Sequence, residues 1–258
     1  MKFLFIGDII GRTGRKALTE YLPSTVEKFK PDIIIANIEN AAGGNGVTKK
    51  VYNQLKNLGI DIFTSGNHIY DKKEVFELFK ETDDILRPAN YPPLAEGKGY
   101  TTIEKKGKKI GVINLMGRVF MGIPLDCPFR KFDEIYEEIK DKVDYIVVDF
   151  HAEATSEKNA FGYYVDGRAH VVYGTHSHVA TADEKILPKG TVYLSDIGMT
   201  GAYHSVIGMK IEQPLQKFLK GYSDRYEVSK DGLLFQAFFV DLSGDKPKFE
   251  RIKEFQVD

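Results

Sequence analysis

The chain has 258 residues and a formal charge of -1, from 36 basic and 37 acidic side chains, and 42% of its residues are hydrophobic. A protein of this size buries roughly 70% of its unfolded surface, so its core needs neither disulfides nor a structural metal. The charge balance gives no global attraction to nucleic acid or to a membrane surface. Cys127 is the only cysteine, which excludes an intrachain disulfide and fits a reducing compartment.

The first quarter of the chain alternates predicted strands and helices. Apolar runs at 2–7, 31–39 and 60–66 predict strands, and the segments between them have helical spacing. Pro23 is expected to end or kink the first helix. No apolar run approaches the ~18 residues of a membrane span, which predicts a cytoplasmic protein without a membrane contact.

The pattern changes after Pro88. A hairpin is predicted around Gly107, an acidic amphipathic helix at 132–140, and a closing hairpin at 232–255. Three further buried strands are predicted at 143–153, 170–179 and 190–198. The whole pattern predicts an α/β fold in which two facing sheets of mixed direction carry helices outside, with residues 1–258 as one domain.

Polar side chains follow five of the predicted strands at the point where each strand ends. Ligands of open α/β sheets bind outside the carboxyl ends of the strands, so we expect these side chains to converge. They are Asp8, Glu39, Asn40, Asn67, His68, His151, His176 and His178.

This mixture of imidazoles, carboxylates and amides is typical of a metal centre. It suits manganese, iron or zinc better than Mg²⁺ or Ca²⁺, which prefer oxygen ligands alone. The set is too large for one catalytic ion, but it fits two ions about 3.5–4 Å apart that share one carboxylate. Two such ions would polarise a phosphoryl group and lower the pKa of a bridging water.

Most of these residues also have an ordinary structural interpretation when taken singly. Asp8 could cap the first helix, Asn67 could stabilise a turn, and His151 could be a semi-buried histidine. The pair His176 and His178 is harder to explain in this way, because alternating spacing puts both imidazoles on one face of an extended segment.

Several strings resemble the calcineurin-like metallophosphoesterases, namely "GD" at 7–8, "GNH" at 66–68 and "GTHSH" at 174–178. The chain departs from that superfamily at Ile10, where a histidine ligand is usual, and at 38–40, where "IEN" replaces "GD". These departures resemble the sequences of the bacterial YmdB-like 2′,3′-cyclic nucleotide phosphodiesterases. So do the longer strings "GDIIGRTGR", "IENAAGG", "TSGNHIYD" and "FHAEATSEK". This resemblance implies a four-layer αββα sandwich.

The resemblance also implies a role for each polar residue. The first ion would be held by Asp8 and His178, both ions would be bridged by Glu39, and the second ion would be completed by Asn67, His151 and His176. Asn40 would lie by the first ion or contact the substrate phosphate. His68 would bind substrate and protonate the leaving ribose oxygen while a metal-bridging hydroxide attacks phosphorus, since imidazoles exchange protons near neutral pH. The two divalent or trivalent ions are expected to be iron or manganese, with zinc as the alternative.

The predicted function is therefore a metal-dependent phosphodiesterase acting on 2′,3′-cyclic nucleotides or related diesters. One alternative is a phosphomonoesterase or nuclease with the same two-metal site. Another is a regulatory protein that binds RNA or an RNA-processing partner. Tyr163 and Tyr164 are candidates either for stacking a base or for packing, and the apolar run at 120–129 allows a homo-oligomer.

Overall fold

The computed structural model describes residues 1–257, and its strands and helices agree with the predicted order. The strands are β1 (Lys2–Ile6), β2 (Asp8–Ile9), β3 (Ile33–Asn37), β4 (Ile62–Thr64), β5 (Tyr100–Lys105), β6 (Lys108–Met116), β7 (Tyr145–His151), β8 (Val171–Thr175), β9 (Lys185–Ile186), β10 (Val192–Leu194), β11 (Met199–Thr200), β12 (Leu233–Asp241) and β13 (Lys248–Gln256). The helices are α1 (Gly11–Phe29), α2 (Lys49–Lys56), α3 (Glu74–Glu81), α4 (Pro128–Ile139), α5 (Thr155–Val165) and α6 (Glu212–Lys220).

The strands form two large mixed sheets. The first has the order β13-β12-β1-β3-β4, with β1, β3 and β4 parallel and the C-terminal hairpin added antiparallel to β1. The second has the order β5-β6-β7-β8-β10-β9, in which the four central strands are parallel and each edge strand is antiparallel. A short parallel pair, β2 with β11, forms a separate small sheet beside β12.

The two sheets pack face to face with helices on both outer sides. The core between the sheets contains Phe3, Val112 and Phe238, which are all fully buried. A second core lies under the helices of the first sheet and a third under α4 and α5. Each fully buried large apolar side chain contributes about 1.5–3 kcal/mol. The predicted αββα sandwich is thus confirmed.

Two local predictions have different outcomes. The hairpin at Gly107 is confirmed, and its turn has positive φ angles at Lys106 and Gly107, as a tight β-hairpin requires. Helix α1, in contrast, does not end at Pro23 but continues to Phe29. It continues because Leu18 and Leu22 before the proline and Thr25 after it are all buried.

The parallel strands of both sheets point their carboxyl ends toward the same edge of the sandwich. That edge carries the segments after β1, β3 and β4 from one sheet and after β7 and β8 from the other. Among the helices of residues 1–257, none has the length and apolar composition needed to cross a membrane.

Candidate active site

The eight polar residues singled out in the sequence meet at this edge. One lies in the short strand β2, and the others follow or end β3, β4, β7 and β8. Asp8, Glu39, Asn40 and His151 are almost fully buried, whereas the remaining four side chains are partly exposed. The fold thus brings together groups that are up to 170 residues apart in the chain.

One cluster is centred on the His151 imidazole. Ligand atoms of Glu39, His151 and His176 all lie within 4.8 Å of one another. His151 Nε2 lies 3.0 Å from His176 Nδ1, 3.1 Å from Asn67 Oδ1 and 3.3 Å from Glu39 Oε1. One ring nitrogen carries either one proton or one lone pair and cannot bond to three neighbours at once, whereas a metal ion can accept electron pairs from all four groups.

A second cluster shares Glu39 with the first. Ligand atoms of Asp8, Glu39 and His178 also lie within 4.8 Å of one another. Asp8 Oδ1 is buried and has no hydrogen-bond donor within residues 1–257; His178 Nε2 is 3.8 Å away. An unpaired buried carboxylate oxygen is costly, so this cluster also suits a cation.

Asn40 lies beside the second cluster with its amide nitrogen turned inward. Nδ2 is 3.1 Å from Glu39 Oε1 and 3.2 Å from His178 Nε2. In this orientation the amide donates hydrogen bonds, which suits contact with an anion better than ligation of a cation.

Gly66 leaves room for the cluster that is centred on His151. A Cβ atom at this position would lie 2.1 Å from His151 Nε2 and 2.4 Å from Glu39 Oε2. Any other residue would therefore displace the imidazole or the carboxylate. The donor set and this space both fit a metal ion.

Glu39 and His151 stabilise each other's charged forms. Burial alone would raise the pKa of Glu39, yet the imidazoles of His151 and His68 lower it to about 2. Burial alone would lower the pKa of His151, yet the Glu39 carboxylate raises it to about 9. Burial and the neighbouring His151 lower the pKa of His176 to about 3. The lowered pKa of Glu39 makes its carboxyl group an anion at neutral pH.

A buried carboxyl group behind His151 orients its ring. Asp149 Oδ1 accepts a hydrogen bond from Thr175 Oγ1 at 2.7 Å, and Thr175 Oγ1 is 2.9 Å from His151 Nδ1. Asp149 Oδ2 accepts another from Thr64 Oγ1 at 2.5 Å. This arrangement leaves Nε2 directed at the cluster. Asp149 was not among the residues predicted from the sequence, although a charged residue inside the apolar run "YIVVDF" is a usable signal of a functional position.

The loop that carries His176 and His178 has an unfavourable backbone conformation. Both residues have positive φ angles, 97° and 63°, which are uncommon outside glycine. Between them, Ser177 donates from its backbone nitrogen and its hydroxyl to Asp196 Oδ2 at 3.1 and 2.8 Å. Asp196 is paired in turn with the buried Lys158 at 2.7 Å. This network holds the strained loop in place.

Replacing Asp196 with Ala is expected to lower the free energy of unfolding by about 3–5 kcal/mol, because Lys158 then keeps a buried charge without a partner. Urea denaturation of the metal-free protein would measure the loss. Adding Lys158→Met to the same variant removes the unpaired charge and should restore part of the stability. A loss below about 1 kcal/mol in the single variant would contradict the assigned role of this pair.

His68 lies next to the clusters and is not part of either. Its backbone nitrogen donates to Glu39 Oε2 at 3.1 Å, and its Nδ1 lies 2.8 Å from Asp71 Oδ2. Asn45 Nδ2 donates to the same Asp71 oxygen at 2.9 Å. The ring lines a cavity together with Glu39 and His178. The Asp71 carboxylate is therefore the group that orients the His68 ring.

Two other candidates lie away from this cavity. Tyr163 and Tyr164 are not among its lining residues. Tyr164 instead donates to Asp133 at 2.6 Å and packs edge-on against Phe129. The packing interpretation therefore holds for Tyr164, and the aromatic residues beside the clusters come from elsewhere in the chain.

Comparison with known proteins gives concordant matches. The family model described as "YmdB-like protein" matches residues 4–255. A 2′,3′-cyclic-nucleotide 2′-phosphodiesterase of Bacillus subtilis is 45% identical over 258 residues, covering 100% of this chain and 97% of that protein. A solved structure of a hypothetical protein from Thermus thermophilus has a TM-score of 0.93 at 42% identity, covering 99% of this chain and 100% of the other. A solved phosphatase structure from Mycoplasma pneumoniae has a TM-score of 0.92 at 36% identity, covering 100% of this chain and 94% of the other.

Proposed function

The chain belongs to the YmdB-like family of metallophosphoesterases, and on that premise we propose that it opens 2′,3′-cyclic nucleotides with the help of two metal ions. Membership of this family was predicted from the motifs at the strand ends and is confirmed by the comparisons. The chain is therefore a hydrolytic phosphoesterase. The observation that carries the proposal is the sharing of Glu39 by two clusters of ligand atoms. The 2′-phosphodiesterase name of the Bacillus subtilis relative supports the choice of substrate.

We propose that the ligand atoms divide between the ions as the two clusters do. Asp8, Glu39 and His178 would hold one ion, and Glu39, Asn67, His151 and His176 would hold the other. Iron or manganese suits this donor set, with zinc as the alternative. Such ions supply Lewis acidity and a lowered pKa for water when they are bound.

The protein's own groups would handle the substrate. Asn40 would donate from Nδ2 to a phosphate oxygen, which places the phosphate against the shared carboxylate of Glu39. Water oxygen would add to phosphorus with loss of one proton to solvent, and the bond from phosphorus to ribose O2′ would break. His68 would give its Nε2 proton to O2′, while Asp71 holds Nδ1 and thereby fixes the ring. The product would be a 3′-nucleotide, and His68 would regain its proton from solvent.

The lining of the cavity favours a singly charged diester over the alternatives. No Lys or Arg side chain is among the described residues that line it. A phosphomonoester would need such cations for its second charge, and a nuclease would need a basic groove along the nucleic-acid backbone. We also propose that the chain folds as one domain, because the core between the sheets takes Phe3 and Phe238 from opposite ends of the chain.

The test is turnover of 2′,3′-cyclic AMP, 3′,5′-cyclic AMP and bis(p-nitrophenyl) phosphate by protein freed of metal and then reloaded with Mn²⁺, Fe²⁺ or Zn²⁺. We expect no turnover without metal and a preference for the 2′,3′-cyclic ester with it. Turnover of the p-nitrophenyl diester alone would support the two-metal site and reject the substrate. No turnover with any metal would favour the binding alternative, in which RNA or a protein partner is the target.

A further inference from the structure

The cavity above the two clusters has two chemically different sides. Its volume is about 460 Å³. The polar lining residues, which we call the floor, are Glu39, Asn40, His68, Glu153, His176, Ser177 and His178. The apolar lining residues, which we call the wall, are Val206, Ile207, Met209, Pro214, Phe218 and Tyr226. The proposed reaction uses the floor alone and leaves the wall without a role.

The wall belongs to one excursion of the chain, residues 206–228, which we call the cap segment. Its two ends are joined, because Lys210 N donates to Glu227 O at 2.8 Å and the two side chains form an ion pair at 2.6 Å. Met209 also pairs with Val228 in an antiparallel bridge. Helix α6 lies between these joined ends.

The cap segment is tied directly to the catalytic floor. His178 Nδ1 lies 2.9 Å from the carbonyl oxygen of Ile207, so the imidazole donates to the cap backbone. Met209 also lies close to the loop that follows Asn40, since a Cβ built on Gly44 would be 3.5 Å from Met209 Cε. The hydrogen bond from His178 to Ile207 therefore holds the wall beside the floor.

The two aromatic side chains of the wall are exposed, Phe218 largely and Tyr226 by nearly half. Phe218 is 85% exposed and Tyr226 is 46% exposed. Aromatic faces in such a position stack on nucleobases whatever the base, because every base has a π-face. The lack of Lys and Arg among the described lining residues disfavours a second phosphate as the natural occupant.

We infer that the cap segment is the nucleobase subsite, in which Phe218 and Tyr226 stack on the base of a cyclic mononucleotide whose phosphate lies on the floor. This inference rests on the proposed function and adds a basis for specificity. A purine offers more stacking area than a pyrimidine, and a cyclic phosphodiester without a base makes no contact with the wall. Phe218 and Tyr226 are therefore specificity-determining residues.

The experiment compares the metal-loaded protein with Phe218→Ala on two substrates, 2′,3′-cyclic AMP and glycerol cyclic 1,2-phosphate, which has no base. For the nucleotide we expect KM to rise roughly tenfold with little change in kcat, the effect of losing one stacking contact. For the glycerol ester we expect both constants to be unchanged. Leu219→Ala is the matched control, because Leu219 is 75% exposed on the same helix and does not line the cavity.

Two results would overturn the subsite. One is an equal loss on both substrates, which would mean that Phe218 supports the fold or the floor. The other is a change in oligomeric state on gel filtration with light scattering, which would assign the exposed ring to contact between two copies of the chain.

Calorimetric binding of adenosine 3′-monophosphate to wild type and Phe218→Ala tests the wall separately from chemistry. If neither cyclic ester is hydrolysed but the nucleotide binds more weakly to the variant, the reaction is rejected and the base site is supported.

Discussion

Replacing Glu39 with Gln is expected to reduce kcat for 2′,3′-cyclic AMP by about 10³-fold, the scale seen when a preorganised electrostatic group is lost. Among residues 1–257, Glu39 is the one residue common to both clusters of ligand atoms, so its charge would act on both proposed ions. Its pKa of about 2 means that the substitution removes a full negative charge at neutral pH. The amide keeps the shape of the side chain, so the loss reports on charge more than on packing.

Metal content measured by mass spectrometry separates this explanation from a folding defect. We expect the variant to retain fewer than two ions per chain and to keep a cooperative thermal transition. Glu77→Gln serves as the control, because Glu77 is a surface carboxylate paired with Lys80 on α3. If the Glu39 variant binds two ions and keeps more than about a tenth of the wild-type turnover, Glu39 does not bridge the ions.

The sequence predicted the position of the site because of a simple property of parallel sheets. Strands that run in the same direction end at the same edge, so Asp8, His151 and His176 could be expected to meet without knowledge of any contact. Buried strands are also easy to detect, since their apolar runs are bounded by glycine and polar residues. The same local signals predicted both hairpins.

The residues that support the site were not predictable in the same way. Asp196 acts through Ser177 and Lys158, and such contacts depend on how α5 packs against the strand ends. The role of the cap segment was not predicted from the sequence. Helix α6 has the amphipathic pattern of a helix that packs against a core, but its apolar side remains exposed. For this reason Tyr163 and Tyr164 were considered for the base, whereas Phe218 and Tyr226 line the cavity.

His68→Ala is expected to lower kcat for 2′,3′-cyclic AMP by about 10²–10⁴-fold, the usual contribution of a general acid. KM and metal content should change little, because His68 belongs to neither cluster of ligand atoms. Asp71→Asn should give a smaller loss, since it weakens the contact at Nδ1 that orients the ring without removing the proton donor.

The nature of the leaving group makes the assignment of His68 testable. A ribose oxygen is a poor leaving group and needs a proton, whereas p-nitrophenolate is stable as an anion and leaves without one. Turnover of bis(p-nitrophenyl) phosphate by His68→Ala should therefore fall far less than turnover of the cyclic nucleotide. If both substrates lose the same factor, His68 acts in binding or in positioning the phosphate, and the proton must reach the ribose oxygen from another group or from water.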